Sequence, residues 1–297
     1  MSEMSFTGSP VAKASGAVRI QNAFAGGNTF IAFLTGGDPS LEQSYEFVRA
    51  LIDGGADIIE IGIPFSDPIA EGPVIQEASL RALEAGATLD SLFDLVRRLR
   101  RDSSAMNTES SVLLENSAHA SDAYHQTPLL FMGYLNPIFH YGYERFFSTC
   151  SEAGVDGVII ADLPFDERSE VLEYSSAYGI AVISLIAPTS AARIQTIARE
   201  AEGFIYLVSS LGVTGQRAEI TTDLDSMVTL IREVTDLPIA VGFGIHTPEQ
   251  AQAISRQADG VIVGSAIVGL IAQSPSQAPV ALYNYAKEMK LAMTRNA

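Results

Sequence analysis

The chain has 297 residues, 47% of them hydrophobic, and its 35 acidic against 18 basic residues give a formal net charge of -17. That length accommodates one large α/β domain or two ordinary ones, with roughly three quarters of the unfolded surface buried on folding. The charge opposes a nucleic-acid backbone or an anionic membrane surface. No uncharged apolar run approaches the roughly 18 to 20 residues that span a bilayer, and the single cysteine, Cys150, excludes an internal disulfide framework. The opening "MSEMSFTGSPVAKASGAVRI" has no apolar block suited to a secretory signal, so a cytoplasmic protein acting on a small molecule or beside a protein partner is expected.

Taken in chain order, "AVRIQNAFA" predicts a helix before the first strand, "TFIAFL" from Thr29. Asp38-Pro39-Ser40 then announces a helix over Leu41 to Asp53. "DIIEIGI" from Asp57 is the second strand, followed by helical periodicity from Pro73 to Arg101, long enough for two helices. The stretch from Arg101 to Gln126 is rich in Ser, Asn, Asp and Ala and interrupts the rhythm, which predicts a long mobile helix-to-strand insertion on the surface. Beyond it, strands "LLFMGY" (Leu129), "GVIIAD" (Gly157), "AVISLI" (Ala181), "FIYLV" (Phe204), "PIAVGF" (Pro238) and "GVIVG" (Gly260) alternate with helical stretches. Those stretches are Tyr143 to Ala153, Ser169 to Tyr178, Ala191 to Ala201, Leu224 to Thr235, Pro248 to Gln257, and Val268 onward, with extra helical material, "APVALYNYAKEMKLAMT", closing the chain. Near-continuous apolar strands separated by helices indicate a parallel sheet covered on both sides, and eight such units predict a closed (β/α)8 (TIM) barrel. The expected organisation is one barrel domain over 1–297, with 1–16 a flexible tail and an open doubly wound sheet as the weaker architecture.

The chemistry concentrates in "IIEIGIPFSDPIAEGPVIQ", 58–76. Alternation places Ile59, Ile61 and Ile63 on one face and Ile58, Glu60 and Gly62 on the other. With the isoleucines toward the helices, Glu60 points into the barrel near the C-terminal end of its strand, where active sites of this fold gather. A buried carboxylate is normally paired, protonated or functional, so Glu60 is read either as a member of a buried polar network or as a reactive group. Pro64, Pro68 and Pro73 stiffen the following loop and hold Asp67 and Glu71. Asp67 has an alternative role in an Asx turn before Pro68, and Glu71 one at the positive end of the next helix. Small residues follow the later strands in "SSLGVTGQR", "VGFGI" and "VGSAIV"; neither of the last two loops contains lysine or arginine, so a phosphate there would rely on backbone N–H groups, Ser265 and Thr214. His119, His125, His140 and His246 lack metal-ligand spacing, so no metal site is expected. Phe33, Tyr134, Tyr206 and Phe243 lie on or beyond strand ends, where they either fill core or line an apolar pocket.

Together, "FIAFLTGGDPS", "IEIGIPFSDPIAEGPVIQ", "ADLPFDE", "YLVSSLGVTGQR", "VGFGI" and "VGSAIV", in this order, closely resemble the tryptophan synthase α subunit family, from about Arg19 to the C-terminal helix. The resemblance implies a lyase that cleaves indole-3-glycerol phosphate to indole and glyceraldehyde 3-phosphate in an α2β2 complex. It carries no cofactor itself; the β subunit holds pyridoxal phosphate. Glu60 corresponds to the general acid/base. Glu71 occupies the place of an aspartate that meets the indole N–H, a longer acid than usual there. Phe33, Tyr134, Tyr206 and Phe243 correspond to the indole pocket. Gly215, Gly244, Gly264 and Ser265 correspond to the phosphate cradle, and Thr214 to the closing loop. Pro64, Asp67 and Asn136 correspond to the β-subunit contact. A stand-alone indole-releasing lyase and a non-catalytic regulator of a β subunit are the alternative readings.

Overall fold

A computed structural model describes residues 15–102, 124, 126–208, 224–242 and 244–294. The expected tail and insertion fall mostly outside these residues. At their edges Ser15 and Gly16 already belong to helix α1, and Arg101 and Asp102 still belong to helix α4.

Among the described residues the order is α1 (Ser15–Phe24), β1 (Thr29–Thr35), α2 (Leu41–Asp53), β2 (Ile58–Gly62), α3 (Pro73–Glu84), α4 (Leu89–Asp102) and β3 (Leu129–Gly133). Then come α5 (Leu135–Tyr141), α6 (Tyr143–Ala153), β4 (Gly157–Ile160), α7 (Ser169–Tyr178), β5 (Ala181–Val182), β6 (Ser184–Ile186) and α8 (Ala191–Arg199). The chain continues through β7 (Ile205–Val208), α9 (Leu224–Arg232), β8 (Ile239–Gly242), α10 (Pro248–Ile254), β9 (Gly260–Val263), α11 (Ser265–Gln273) and α12 (Ala278–Thr294).

All the pairings are parallel, in the spatial order β5-β4-β3-β2-β1-β9-β8-β7-β6. β5 and β6 are two halves of one strand position, separated by Ile183, whose N–H donates to the Val158 carbonyl at 2.9 Å. One half pairs with β4 and the other with β7, so the ring closes with eight strand positions, as "AVISLI" predicts, except that the strand breaks in its middle. Two other differences concern helices. The strand read as "LLFMGY" stops at Gly133, and Tyr134 is the N-cap of the short helix α5 that sequence periodicity did not separate. The helix read from Val268 onward begins at Ser265 and ends at Gln273, and the helical stretch "APVALYNYAKEMKLAMT" that closes the chain is the separate helix α12, as its sequence predicts.

Local signals explain the element boundaries. The Ser40 side chain caps α2 by accepting from the Gln43 N–H, and Thr247 and Gln250 form a full capping box with Pro248 at the first turn of α10. Gly154 ends α6 in the left-handed region, at φ 91°.

Period-two alternation divides the core in two. Phe30, Ala32, Leu34, Ile59 and Ile61 face the helical shell, whereas Ile31, Ile58, Leu130, Ile159, Ile183 and Ile262 fill the barrel interior. Helix α1 closes the end at which the strands begin: Ile20 and Phe24 join the interior layer, with the Phe24 and Phe204 ring centroids 5.4 Å apart.

A buried ionic cluster fastens this end. Asp156 is fully buried and accepts from Arg19 Nε (2.9 Å) and Nη2 (2.5 Å), Arg100 Nη2 (2.7 Å) and the Leu129 N–H (2.9 Å). Burial lowers the Arg100 guanidinium to about 10, against the opposing pull of Asp156. Asp156→Ala is expected to destabilise the fold by about 3 to 5 kcal/mol, because it strands two guanidinium groups and a backbone donor without their carboxylate. Thermal unfolding followed by circular dichroism should show a midpoint lower by roughly ten degrees. No described helix is long and apolar enough to cross a membrane.

Candidate active site

Glu60 is the third residue of β2, in register with Phe33 of β1 and Leu130 of β3. Its neighbours Ile59 and Ile61 lie in the shell and Ile58 in the barrel interior, so its side chain points into the barrel. It is fully buried, and neither carboxylate oxygen has a hydrogen-bond partner among the described residues. Burial, and secondarily the negative charge of Glu71, raise its pKa from 4.5 to about 8. The carboxyl group therefore keeps its proton at neutral pH.

Glu71 reaches the same region from the loop after β2 and is only 5% exposed. Its backbone is fixed on both sides: its N–H donates to the Pro68 carbonyl at 3.2 Å, and its own carbonyl accepts from Gln76 Nε2 at 2.8 Å. Tyr134, just past the end of the neighbouring strand β3, holds the loop. Its hydroxyl accepts from the Ala70 N–H at 3.0 Å, and its ring lies 5.4 Å from that of Phe65. Burial and the Glu71 charge push the Tyr134 hydroxyl well above its ordinary value; for Tyr206 the causes are burial, then Glu60, then Glu71. The Glu71 charge thus acts on Glu60, Tyr134 and Tyr206 alike.

A small cavity at the mouth is walled by Phe33, Thr35, Gly62, Glu71, Met132 and Tyr134, among others. Glycines make space for the Phe33 ring on its wall and for the Tyr206 ring inside the barrel. A Cβ on Gly62 would lie 2.7 Å from Phe33 Cζ, and one on Gly242 would lie 2.7 Å from the Tyr206 hydroxyl. Gly264, the N-cap of α11, also backs onto Phe33, with a Cβ there meeting Phe33 Cδ1 at 3.2 Å. Ser265 opens α11, whose first-turn N–H groups point out of the helix end. Gly244 adopts φ +86°, a left-handed conformation suited to glycine, and its carbonyl lies 2.9 Å from His246 Nδ1.

The fold therefore sets Glu60, Tyr134 and Tyr206 within reach of the Glu71 charge and places Phe33, Glu71 and Tyr134 on the wall of the mouth cavity, with Gly264 behind Phe33. Thr214, Gly215 and Phe243 lie outside the described residues. Asp67 is exposed and accepts from the Ser66 hydroxyl at 2.5 Å, Asn136 is exposed on α5, and Pro64 is buried. Sequence reasoning passed over Thr35, Gly62 and Gly242 as site residues. Alternation did mark Thr35 and Gly62, each two positions beyond an inward-facing residue. A second cavity, about 260 Å³, lies beside the break between β5 and β6 and has neither acid on its walls.

A parallel (β/α)8 barrel that keeps a glutamic acid inside with no hydrogen-bond partner among the described residues, beneath a second carboxylate at its mouth, has the arrangement of barrel enzymes that move protons at the C-terminal ends of their strands. The family model for the tryptophan synthase alpha chain matches residues 21–107 and 103–294. The tryptophan synthase alpha chain of Lacticaseibacillus casei is 43% identical over 275 residues, 93% of this chain and 95% of that one. Among solved structures, the alpha subunit of Legionella pneumophila str. Paris superposes with a TM-score of 0.76 at 33% identity, over 93% of this chain and 98% of that one. The tryptophan synthase α2β2 complex of Pyrococcus furiosus matches with a TM-score of 0.72 at 33% identity, over 89% of this chain and 97% of that chain. The chain belongs to the tryptophan synthase alpha chain family.

Proposed function

We propose that this chain cleaves indole-3-glycerol phosphate to indole and glyceraldehyde 3-phosphate in the cytoplasm, as the α subunit of an α2β2 tryptophan synthase, with Glu60 as its proton-transfer group. Family membership supports the reaction and the partner. The observation that carries the residue assignment is the buried Glu60 carboxyl, held protonated near neutral pH and without a partner among the described residues.

The reaction breaks the bond between indole C3 and the glycerol chain. Glu60, protonated at the start, delivers its proton to C3, and the ring becomes indolenine-like with positive charge at its N–H. The Glu71 carboxylate accepts a hydrogen bond from that N–H and stabilises the charge. The ionised Glu60 then takes the proton of the adjacent chain hydroxyl as the C–C bond breaks, its electrons return to the ring and the aldehyde forms. Glu60 ends protonated, so the step balances with no external acid or base. Phe33, Tyr134, Tyr206 and Phe243 enclose the ring. Gly244, Gly264 and Ser265 bind the phosphate through backbone N–H groups and the N-terminal end of α11, and the family resemblance alone assigns Gly215 and Thr214, outside the described residues, to the same site.

Exposed apolar side chains support the β-subunit contact at the same mouth. Ile69 is 77% exposed in the loop that carries Asp67, and Phe139 is 61% exposed on α5 with Asn136. The loop and α5 are joined through the Ala70–Tyr134 hydrogen bond. Indole release from indole-3-glycerol phosphate, measured with and without a β subunit, tests the reading. Turnover that rises when the β subunit is added is expected. No indole in either case would overturn the enzyme assignment, and full turnover alone would overturn the dependence on a partner.

A further inference from the structure

Thr35, the last residue of β1, pairs with Gly62 of β2 and follows the inward-facing Ile31 and Phe33 at the same alternation. Its side chain therefore points into the barrel, one layer above Phe33. It is 2% exposed and lines the mouth cavity that Glu71 also lines. Its hydroxyl has no hydrogen-bond partner among the described residues. A threonine hydroxyl in a strand ordinarily finds a backbone or side-chain partner, and leaving one buried without a partner is costly. Valine would fill the same volume in the same strand without that penalty.

We infer that Thr35 is a positioning residue for the lyase reaction: its hydroxyl donates to the Glu71 carboxylate in the substrate-loaded site and aims that acid at the ring N–H. The inference rests on the reading of Glu71 as the group that meets the ring nitrogen. A carboxylate offers about four acceptor sites. One takes the ring N–H, and a donor on another holds the group against rotation. Of the hydroxyls lining this cavity, that of Tyr134 meets the Ala70 N–H, whereas the fully enclosed Thr35 hydroxyl has no hydrogen-bond partner among the described residues. Catalytic hydrogen bonds are often long in a ligand-free site and tighten when substrate fills it.

The test is a set of four variants, Thr35→Val, Thr35→Ser, Glu71→Gln and the Thr35→Val/Glu71→Gln double, assayed for kcat and KM with indole-3-glycerol phosphate and for thermal unfolding. Thr35→Val is expected to lower kcat about tenfold, the effect of one hydrogen bond, with KM changed less than about threefold and no loss of melting temperature. Thr35→Ser should restore most of kcat, and Thr35→Val should add little to Glu71→Gln. Wild-type kcat in Thr35→Val, or losses that multiply in the double variant, would overturn the inference while leaving a slow Glu71→Gln to stand for the ring-nitrogen role. A fall in kcat that tracks a fall in melting temperature and is not restored by serine would also overturn it, as a packing effect. Wild-type turnover in Glu71→Gln would overturn the ring-nitrogen role and this inference with it.

Discussion

Glu60→Gln is expected to lower turnover by about a thousandfold or more while leaving the fold intact, because one residue both delivers the proton to the ring and removes the proton from the chain hydroxyl. The amide keeps the shape of the acid and loses both transfers. Retention of more than about a tenth of the wild-type rate, measured as indole formed by the purified chain with its β subunit, would refute the role. The pH profile gives an independent readout. The reaction begins from the protonated acid, whose pKa is raised from 4.5 to about 8, so kcat/KM should be level through neutrality and fall as pH rises through about 8. Stability carries the same sign. Between 4.5 and about 8 the folded protein holds a proton on Glu60 that the unfolded chain does not, so this group destabilises the fold progressively as pH rises, by roughly 1.4 kcal/mol per pH unit. Glu60→Gln escapes that cost. Its unfolding midpoint should exceed the wild-type value at pH 8 and converge with it below pH 4.5, a pattern that guanidinium titrations at several pH values can check.

Replacing Glu71 should have the second-largest effect. A hydrogen bond to a charged partner in an enclosed site contributes about 1.5 to 3 kcal/mol, so Glu71→Ala is expected to lower kcat roughly ten- to a hundredfold. Glu71→Asp should retain more activity than alanine but less than wild type. The loop backbone is pinned at Pro68, Gln76 and Tyr134, and cannot advance to make up the roughly 1.5 Å lost with one methylene. Alanine as active as wild type would remove Glu71 from the mechanism. The neighbouring carboxylate also helps to raise the Glu60 pKa, after burial, so Glu71→Gln should shift the alkaline fall in kcat/KM to lower pH. Comparing the pH profiles of wild type and Glu71→Gln measures that coupling directly.

The barrel was legible because its elements are locally coded. "TFIAFL", "DIIEIGI" and "GVIVG" are apolar enough to be buried on both faces, and Ser40, Gly154 and Thr247-Pro248 place the helix ends through caps that involve only neighbouring residues. Alternation put Glu60 on the face opposite Ile59, Ile61 and Ile63, so with those three toward the helices it points inside. The elements that escaped were those in which tertiary contact overrides local pattern. "AVISLI" reads as one continuous strand, yet its first half pairs with β4 and its second with β7, with a break at Ile183. α5 is too short to show a helical period.

By itself the sequence determined the strand and helix alternation, the inward placement of one glutamate, and the motifs that relate the chain to its family. Only the tertiary structure decided that Glu60 has no partner among the described residues and that Glu71, eleven positions further on, lies close enough to raise its pKa. It also decided that Gly62 and Gly242 clear space for Phe33 and Tyr206, and that the Thr35 hydroxyl opens onto the cavity shared with Glu71. The physical reason is one of range. Hydrophobic periodicity and capping act over a few residues and are written in neighbouring letters, whereas desolvation, charge coupling and close packing depend on which distant strands the closed barrel brings together.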